Sequence, residues 1–138
     1  ADFSLPSIYA ARKFRLTDRN SGGGSLFDLG IYPVTYAYRL FGYPKSIKAT
    51  AHMKRDIDFA LKVEFEYENG VKAYLTSAIN RFGPINAKVI GEEGKITLPF
   101  MFHAARKAKL KSKELYDNEN LNENKNINQN NNELSGIK

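Results

Sequence analysis

The chain has 138 residues, the size of one ordinary domain, and 42% of them are hydrophobic, so it can bury a core and is not disordered throughout. Because the chain has no Cys, a disulfide framework and a thiol nucleophile are excluded. It has only two His, too few for a His-rich metal cage, and neither His52 nor His103 has a second ligand at the right spacing, so no metal is expected. The net charge of +6 comes largely from residues 106–113, where five of the eight residues are basic. A short basic segment of this kind is usually a solvent-exposed edge of the fold, so no nucleic-acid partner is expected.

Residues 1–20 begin with an apolar segment that predicts a strand and continue as a polar, basic loop containing Arg15. Because Ala rather than Met stands first, we expect the chain to be part of a longer protein. No apolar run approaches the ~20 residues of a membrane span, so no membrane partner is expected. The lack of Cys suits a reducing compartment, and we expect a cytoplasmic location.

Residues 21–42 predict a helix behind a glycine loop. Ser25 is the expected N-cap, and Gly42 ends the helix. Pro33 in the interior predicts an irregularity just after Asp28, because proline removes a backbone donor. Apolar residues at helical spacing predict the stripe that faces the core: Phe27, Ile31, Val34, Tyr38 and Phe41.

A second row on the same helix contains Asp28, Tyr32, Tyr36 and Arg39. A carboxylate, two phenols and a guanidinium could line a polar cleft, where a phenol donates a proton and a carboxylate orients it. An ordinary solvent-exposed helix face with an acidic first turn explains the same row. Gly22, Gly23 and Gly24 likewise fit either an anion site or a connector that lets the helix pack closely.

Residues 46–100 alternate apolar and polar side chains, which predicts antiparallel strands. A three-residue loop of Glu68, Asn69 and Gly70 pairs Phe65 with Ala73 and keeps each face uniform, whereas a two-residue turn mixes the faces. The predicted fold is therefore α+β, a mostly antiparallel sheet with one face covered by helix 26–41.

Residues 117–138 differ in composition, since nine of the 22 are Asn and none is aromatic. Such a segment buries too little apolar area to offset its chain entropy, which predicts a flexible tail. We therefore place the folded domain in residues 1–116.

The string from Gly22 to Val34, GGGSLFDLGIYPV, resembles the GGG-(A/S)-L-x-D-x-G-x-(Y/H) signature of the glucose-fructose oxidoreductase, inositol dehydrogenase and rhizopine catabolism family. Its Tyr-Pro form is most similar to the dimeric dihydrodiol dehydrogenase branch. The resemblance covers about residues 1–105. It includes a basic position before the glycines and a series of later positions in the usual order: Arg15, Phe65, Asn69-Gly70, Thr76-Ser77, Asn86-Ala87, Gly91 and Gly94-Lys95-Ile96.

Members of that family have a Rossmann domain that binds NAD or NADP and a second α/β domain, and this chain resembles the second. The resemblance implies that Tyr32 is the proton donor or substrate anchor and that Asp28 orients it, and Arg15, Tyr36 and Arg39 are the expected substrate-binding residues. The implied substrate is a sugar, polyol or diol that reacts at a hydroxyl carbon. The dinucleotide fingerprint and the Glu-Lys-Pro segment with the catalytic Lys are missing, so we expect no activity from this chain alone.

The predicted register also separates two sheet faces. The polar one holds Lys62, Glu64, Glu66, Lys72, Tyr74 and Thr76. An open face of mixed charge with an aromatic residue suits a homodimer contact, as the resemblance also implies. The alternative is a non-catalytic interaction module that uses this face to bind another protein.

Overall fold

The computed structural model describes residues 1–6 and 13–113. The predicted tail and its boundary at residue 116 lie outside the described residues. The strands are β1 (Asp2–Ser4), β2 (Ser46–Lys54), β3 (Ile57–Glu66), β4 (Lys72–Ala78), β5 (Ala87–Gly91), β6 (Gly94–Leu98) and β7 (Lys109–Ser112). The helices are α1 (Lys13–Leu16), a π-helical turn (Leu26–Gly30) and α2 (Ile31–Phe41), with 3₁₀ turns at Arg19–Ser21 and Phe102–Ala104. Within the described ranges, no helix is long and apolar enough to cross a membrane.

The larger sheet has four strands in the order β1-β4-β3-β2. Both pairs within β2, β3 and β4 are antiparallel, whereas β1 runs parallel to β4 and places Phe3 beside Ser77. The mostly antiparallel sheet is confirmed. The parallel strand β1 brings the start of the chain next to the centre of the sheet, which local periodicity does not predict.

The predicted hairpin register is confirmed. Phe65 lies opposite Ala73, and Val63 lies opposite Leu75. The Tyr67 N–H donates to the Val71 carbonyl at 3.0 Å, and Gly70 has the left-handed φ of 80° that a bulged three-residue loop requires. Phe59, Leu61, Val63 and Phe65 of β3 therefore project from the same face as Ala73 and Leu75 of β4.

The helix of residues 26–41 is present and covers that face. Ala37 is buried among Val63, Phe65 and Leu75, with Val34 and Phe41 packed at the edge of this cluster. A second cluster joins β1 to the π-helical turn and to the segment after β4: Phe3, Leu29, Ile79, Ile85, Ala87 and Phe102.

The predicted apolar stripe of this helix was wrong at three of its five positions, since only Val34 and Phe41 pack on the core. Phe27 is 72% exposed and Ile31 and Tyr38 are also exposed, while Gly30, Pro33 and Ala37 are buried. The π-helical turn contributes an extra residue before Pro33 and so rotates α2 relative to the regular period. The buried side of the helix then consists of small residues, which allow a close approach to the sheet.

The described residues divide into two compact units. The first contains residues 1–87 and 98–107 and holds the larger sheet, the helices and both apolar clusters. The second contains residues 88–97 and 108–113, and consists of most of a three-stranded sheet in the order β5-β6-β7. In it β6 and β7 are antiparallel, with Ile96 opposite Leu110.

Candidate functional site

The glycine loop is a tight connector whose amides all point inward. Gly22 donates to the carbonyl of Arg19 at 3.0 Å, Gly23 to that of Asp18 at 2.9 Å and Gly24 to that of Leu16 at 3.0 Å. A Cβ on Gly23 would lie 2.7 Å from the carbonyl oxygens of Arg15 and Asp18, so only glycine fits. The geometry supports the connector and leaves none of these three N–H groups for an anion.

Asp58 of β3, and not Ser25, caps the helix. One oxygen of its carboxylate accepts hydrogen bonds from the Ser25 hydroxyl and from the Leu26 N–H, each at 2.7 Å. Ser25 is fully buried and its hydroxyl also lies 3.1 Å from that of Ser77. Ser25 does stand at the predicted N-cap position, but its backbone is already helical and its side chain bonds to the sheet instead of capping the helix. This network attaches the start of the helix to β3 and β4.

Arg15 and Asp28 form an ion pair between α1 and the π-helical turn. The two side chains are 35% and 27% exposed, so the pair is partly shielded from water. The Nε of Arg15 is buried and has no hydrogen-bond acceptor among the described residues. The structure therefore brings together two of the predicted site residues, and the charge of Asp28 is balanced by the guanidinium.

Tyr32 belongs to a cluster of three rings. Its ring centroid lies 5.1 Å from that of Phe3 and 4.8 Å from that of His103. Phe3 and His103 stack on each other at 4.8 Å with an interplanar angle of 16°. Since Phe3 is buried and Tyr32 is 41% exposed, the phenol ring is packed on the core while part of it faces solvent.

Of the two remaining predicted residues, Tyr36 adjoins the ring cluster through Phe102, whereas Arg39 lies apart. Tyr36 is half-buried against Phe102, with ring centroids 5.7 Å apart, and burial raises the pKa of its phenol. Arg39 is exposed in the last turn of α2, seven residues or about 10 Å along the helix from Tyr32. Within the described part of the chain, no ion pair or hydrogen bond connects Arg39 to the Arg15–Asp28 pair.

Three residues of this region were not predicted, namely Phe3, Asp58 and His103. Each comes from a segment distant in sequence from the helix, and each enters through tertiary packing. In the sequence, His103 stands out only as one of two His, and nothing distinguishes Phe3 or Asp58. His103 was considered as a metal ligand and not as an aromatic neighbour of Tyr32.

The described residues do not fit a dinucleotide as its main binding site. The glycine amides bond to their own loop, and the N–H at the start of the helix is taken by the Asp58 carboxylate. A pyrophosphate would compete with that carboxylate for the same donor and would be repelled by its charge. Chemically, the region offers an exposed phenol, a carboxylate balanced by an arginine and an aromatic wall.

Comparison with known proteins identifies the family. A family model described as the GFO/IDH/MocA C-terminal domain matches residues 1–97. The chain belongs to this family. It is 36% identical over 83 residues to trans-1,2-dihydrobenzene-1,2-diol dehydrogenase of Mus musculus, a match that covers 58% of this chain and 25% of the relative. The enzyme of that name from Xenopus laevis is 27% identical over 117 residues, which is 83% of this chain and 34% of the relative. The matches thus span a quarter to a third of these relatives, and the predicted family and branch are confirmed.

Solved structures confirm the fold class. An aldose-aldose oxidoreductase from Caulobacter crescentus superposes with a TM-score of 0.65 at 22% identity, covering 79% of this chain and 34% of that one. An NAD binding oxidoreductase from Klebsiella pneumoniae gives a TM-score of 0.66 at 16% identity, with coverages of 80% and 34%. At these identities the likeness establishes the fold alone.

Proposed function

We propose that this chain is the substrate-binding and association domain of an NAD(P)-dependent oxidoreductase that acts on a hydroxyl carbon of a sugar, polyol or diol in the cytoplasm. The family match and the diol dehydrogenase relatives support the reaction class. NAD or NADP is bound mainly by a separate nucleotide-binding domain, since the glycine loop of this chain has no free amides for it.

The observation that carries this proposal is the placement of Tyr32 and Asp28. They lie four residues apart across the junction of the π-helical turn and α2, with Tyr32 partly exposed and Asp28 paired to Arg15. In the proposed reaction the Tyr32 phenol binds the reacting hydroxyl oxygen and exchanges a proton with it, while Asp28 orients the phenol. Arg15 holds Asp28 in place and also contacts the substrate, and Tyr36 and Arg39 extend the binding surface along α2.

Tyr32→Phe tests this role in a protein that joins this chain to the nucleotide-binding domain of a family member. We expect kcat to fall by about 10²–10⁴-fold, the usual effect of removing a general acid or base. Tyr38→Phe is the matched control, because Tyr38 lies on the same helix with 45% exposure but packs against Tyr43 instead. An unchanged rate in Tyr32→Phe would remove Tyr32 from the mechanism.

The isolated chain should show no turnover of any sugar, polyol or diol with NAD or NADP. The reason is that its sequence contains neither the dinucleotide fingerprint nor the Glu-Lys-Pro segment that supplies the lysine in the family it resembles. A spectrophotometric assay at 340 nm of the purified chain checks this expectation, and measurable turnover would contradict it.

A second candidate function rests on the polar face of the larger sheet. Tyr74 is 62% exposed there, and a shallow groove beside it is lined by Lys48, Thr50, Lys62, Val63, Glu64, Tyr74, Leu75 and Thr76. We propose that a second copy of the chain covers this face. A non-catalytic module that binds another protein would use the same face, and turnover in the joined protein separates the two candidates.

A further inference from the structure

His103 is the residue that the proposed reaction has not yet used, although it lies directly against Tyr32. It belongs to the 3₁₀ turn Phe102–Ala104, 71 residues after Tyr32 in the sequence. The turn is anchored by Phe102, which is 5% exposed in the apolar cluster with Phe3 and Leu29 and whose N–H donates to the Ile85 carbonyl at 3.4 Å. His103 itself is exposed, so a buried neighbour presents it at the surface.

The contacts of His103 are with aromatic faces rather than with acceptors. Its ring stacks on Phe3 at 4.8 Å and meets the Tyr32 ring at 4.8 Å with an interplanar angle of 44°. Phe3 contacts Tyr32 from the core side, with ring centroids 5.1 Å apart. With His103 in place the phenol ring has two aromatic neighbours that also touch each other, which restricts its rotation.

From this geometry we infer that His103 is a positioning residue for Tyr32, holding the phenol in one orientation toward the substrate. The catalytic consequence of this inference rests on the proposed function. The orientation of Tyr32 by His103 rests only on the packing of the three rings. Orientation matters because a reacting group displaced by about 1 Å can cost roughly 10²-fold in rate. An aromatic pair is favourable beyond its buried area, so it can select one side-chain orientation over others.

Charged and titratable groups near the cluster do not provide His103 with another partner. From β1, one oxygen of the neighbouring Asp2 carboxylate accepts hydrogen bonds from Ser4, Thr76 and Arg81, and the other is buried with no hydrogen-bond partner among the described residues. From the helix the groups are Tyr36, which packs on Phe102, and Asp28, which pairs with Arg15. The interaction of His103 with Tyr32 is therefore one of packing, and an aromatic ring without a titratable nitrogen should replace it.

The first test is made on the chain as it exists, by NMR of the Tyr32 ring protons and of the Tyr32 χ1 couplings. His103→Ala should move the ring shifts toward unstructured values and give averaged couplings, whereas His103→Phe should retain a single orientation. His52→Ala is the matched control, since His52 is an exposed residue of β2 outside the cluster. Unchanged Tyr32 signals in a folded His103→Ala protein would overturn the inference.

The second test measures kinetics in the protein joined to a nucleotide-binding domain. His103→Ala should lower kcat by about 10-fold with little change in KM, and His103→Phe should restore it to within about 3-fold with the same pH profile. If His103→Phe is as slow as His103→Ala and one limb of the pH profile is lost, His103 transfers protons and the positioning role is wrong. Failure of the proposed function itself is recognised separately, by an unchanged rate in Tyr32→Phe, while the NMR test still decides whether His103 orients Tyr32.

Discussion

Tyr67, the residue directly after β3, carries a polar hydroxyl in a buried position. The side chain is 5% exposed, and its hydroxyl has no hydrogen-bond partner among the described residues. A phenol that gives up water without gaining a partner costs about 1–3 kcal/mol. The aromatic ring compensates by packing on Phe41 and Phe65, with centroids 5.4 and 6.4 Å away.

Tyr67→Phe should therefore stabilise the protein, by about 1 kcal/mol, because the ring contacts remain and no hydrogen bond is lost. Burial raises the pKa of the Tyr67 phenol, so the folded state favours the neutral form. Stability is full below the usual tyrosine pKa of about 10 and declines as pH rises above it, and the variant should show a shallower decline. Urea unfolding at pH 7 and at about pH 10.5 measures both effects. Tyr43→Phe is the control, since Tyr43 is 85% exposed and should change neither.

Gly23 is the other residue whose identity the local geometry explains. An added methyl group would meet the carbonyl oxygens of Arg15, Leu16 and Asp18 at 2.7–2.8 Å, and backbone atoms cannot move aside as a flexible side chain can. Gly23→Ala should destabilise the protein by about 1–3 kcal/mol, the range for overpacking. Gly91→Ala, where the nearest atom would be 3.9 Å away, should change the urea midpoint little. Equal effects of the two substitutions would show that the loop adapts.

At the scale of elements, the β3–β4 hairpin depends on the backbone of Gly70. Its φ is 80°, and an added Cβ would meet nothing within 4 Å, so conformation and not space limits the residue. Gly70→Ala should cost about 1–2 kcal/mol in the free energy of unfolding, the penalty for the left-handed region. Gly70→Asn should cost less, because asparagine tolerates that region. Denaturant unfolding of the two variants compares them, and equal losses would contradict the left-handed geometry.

The hairpin and the helix differ in how far the sequence predicted them. The period of two along β3 and β4 and one turn residue were sufficient for the register, because a shift by one residue would expose Val63 and Phe65. The helix was predicted, but of its buried side only Val34 and Phe41 were, since the π-helical turn changes the period and the sheet selects small residues such as Ala37. A regular-helix pattern contains no information about either effect.

The candidate site likewise contains residues that the sequence predicted and residues that it did not. Asp28 and Tyr32 were identified from a local string of residues, and the ion pair of Asp28 with Arg15 joins positions only 13 residues apart. Phe3 and His103 reach Tyr32 only because β1 pairs with β4 and Phe102 is buried in the core. Contacts of this kind depend on the complete fold, and a single sequence does not encode them in any local pattern.

At the scale of the whole molecule, the polar face of the larger sheet is the surface that the proposed dimer would bury. Tyr74 lies opposite Glu64, and Thr76 lies opposite Lys62, in the β3–β4 register. Lys72 forms an ion pair with Glu64 at 3.2 Å, diagonally across the strands, although Glu66 is the residue directly opposite. The hydrogen bond and the charge of Glu64 both raise the pKa of Lys72. Charges of both signs around an exposed tyrosine allow two copies related by a twofold axis to match each other.

We predict that the chain forms a dimer at micromolar concentration and that Tyr74→Glu together with Thr76→Arg converts it to a monomer. The substitutions place a glutamate opposite Glu64 and an arginine opposite Lys62, so each adds a like charge in the centre of the face. Multi-angle light scattering measures the mass, and thermal melting shows whether the doubly substituted chain still folds. Tyr43→Glu is the control, because Tyr43 is a more exposed tyrosine in the loop after α2, away from this face. A monomeric mass for the unchanged chain, or a dimer that persists in the folded double variant, would reject this face as the contact.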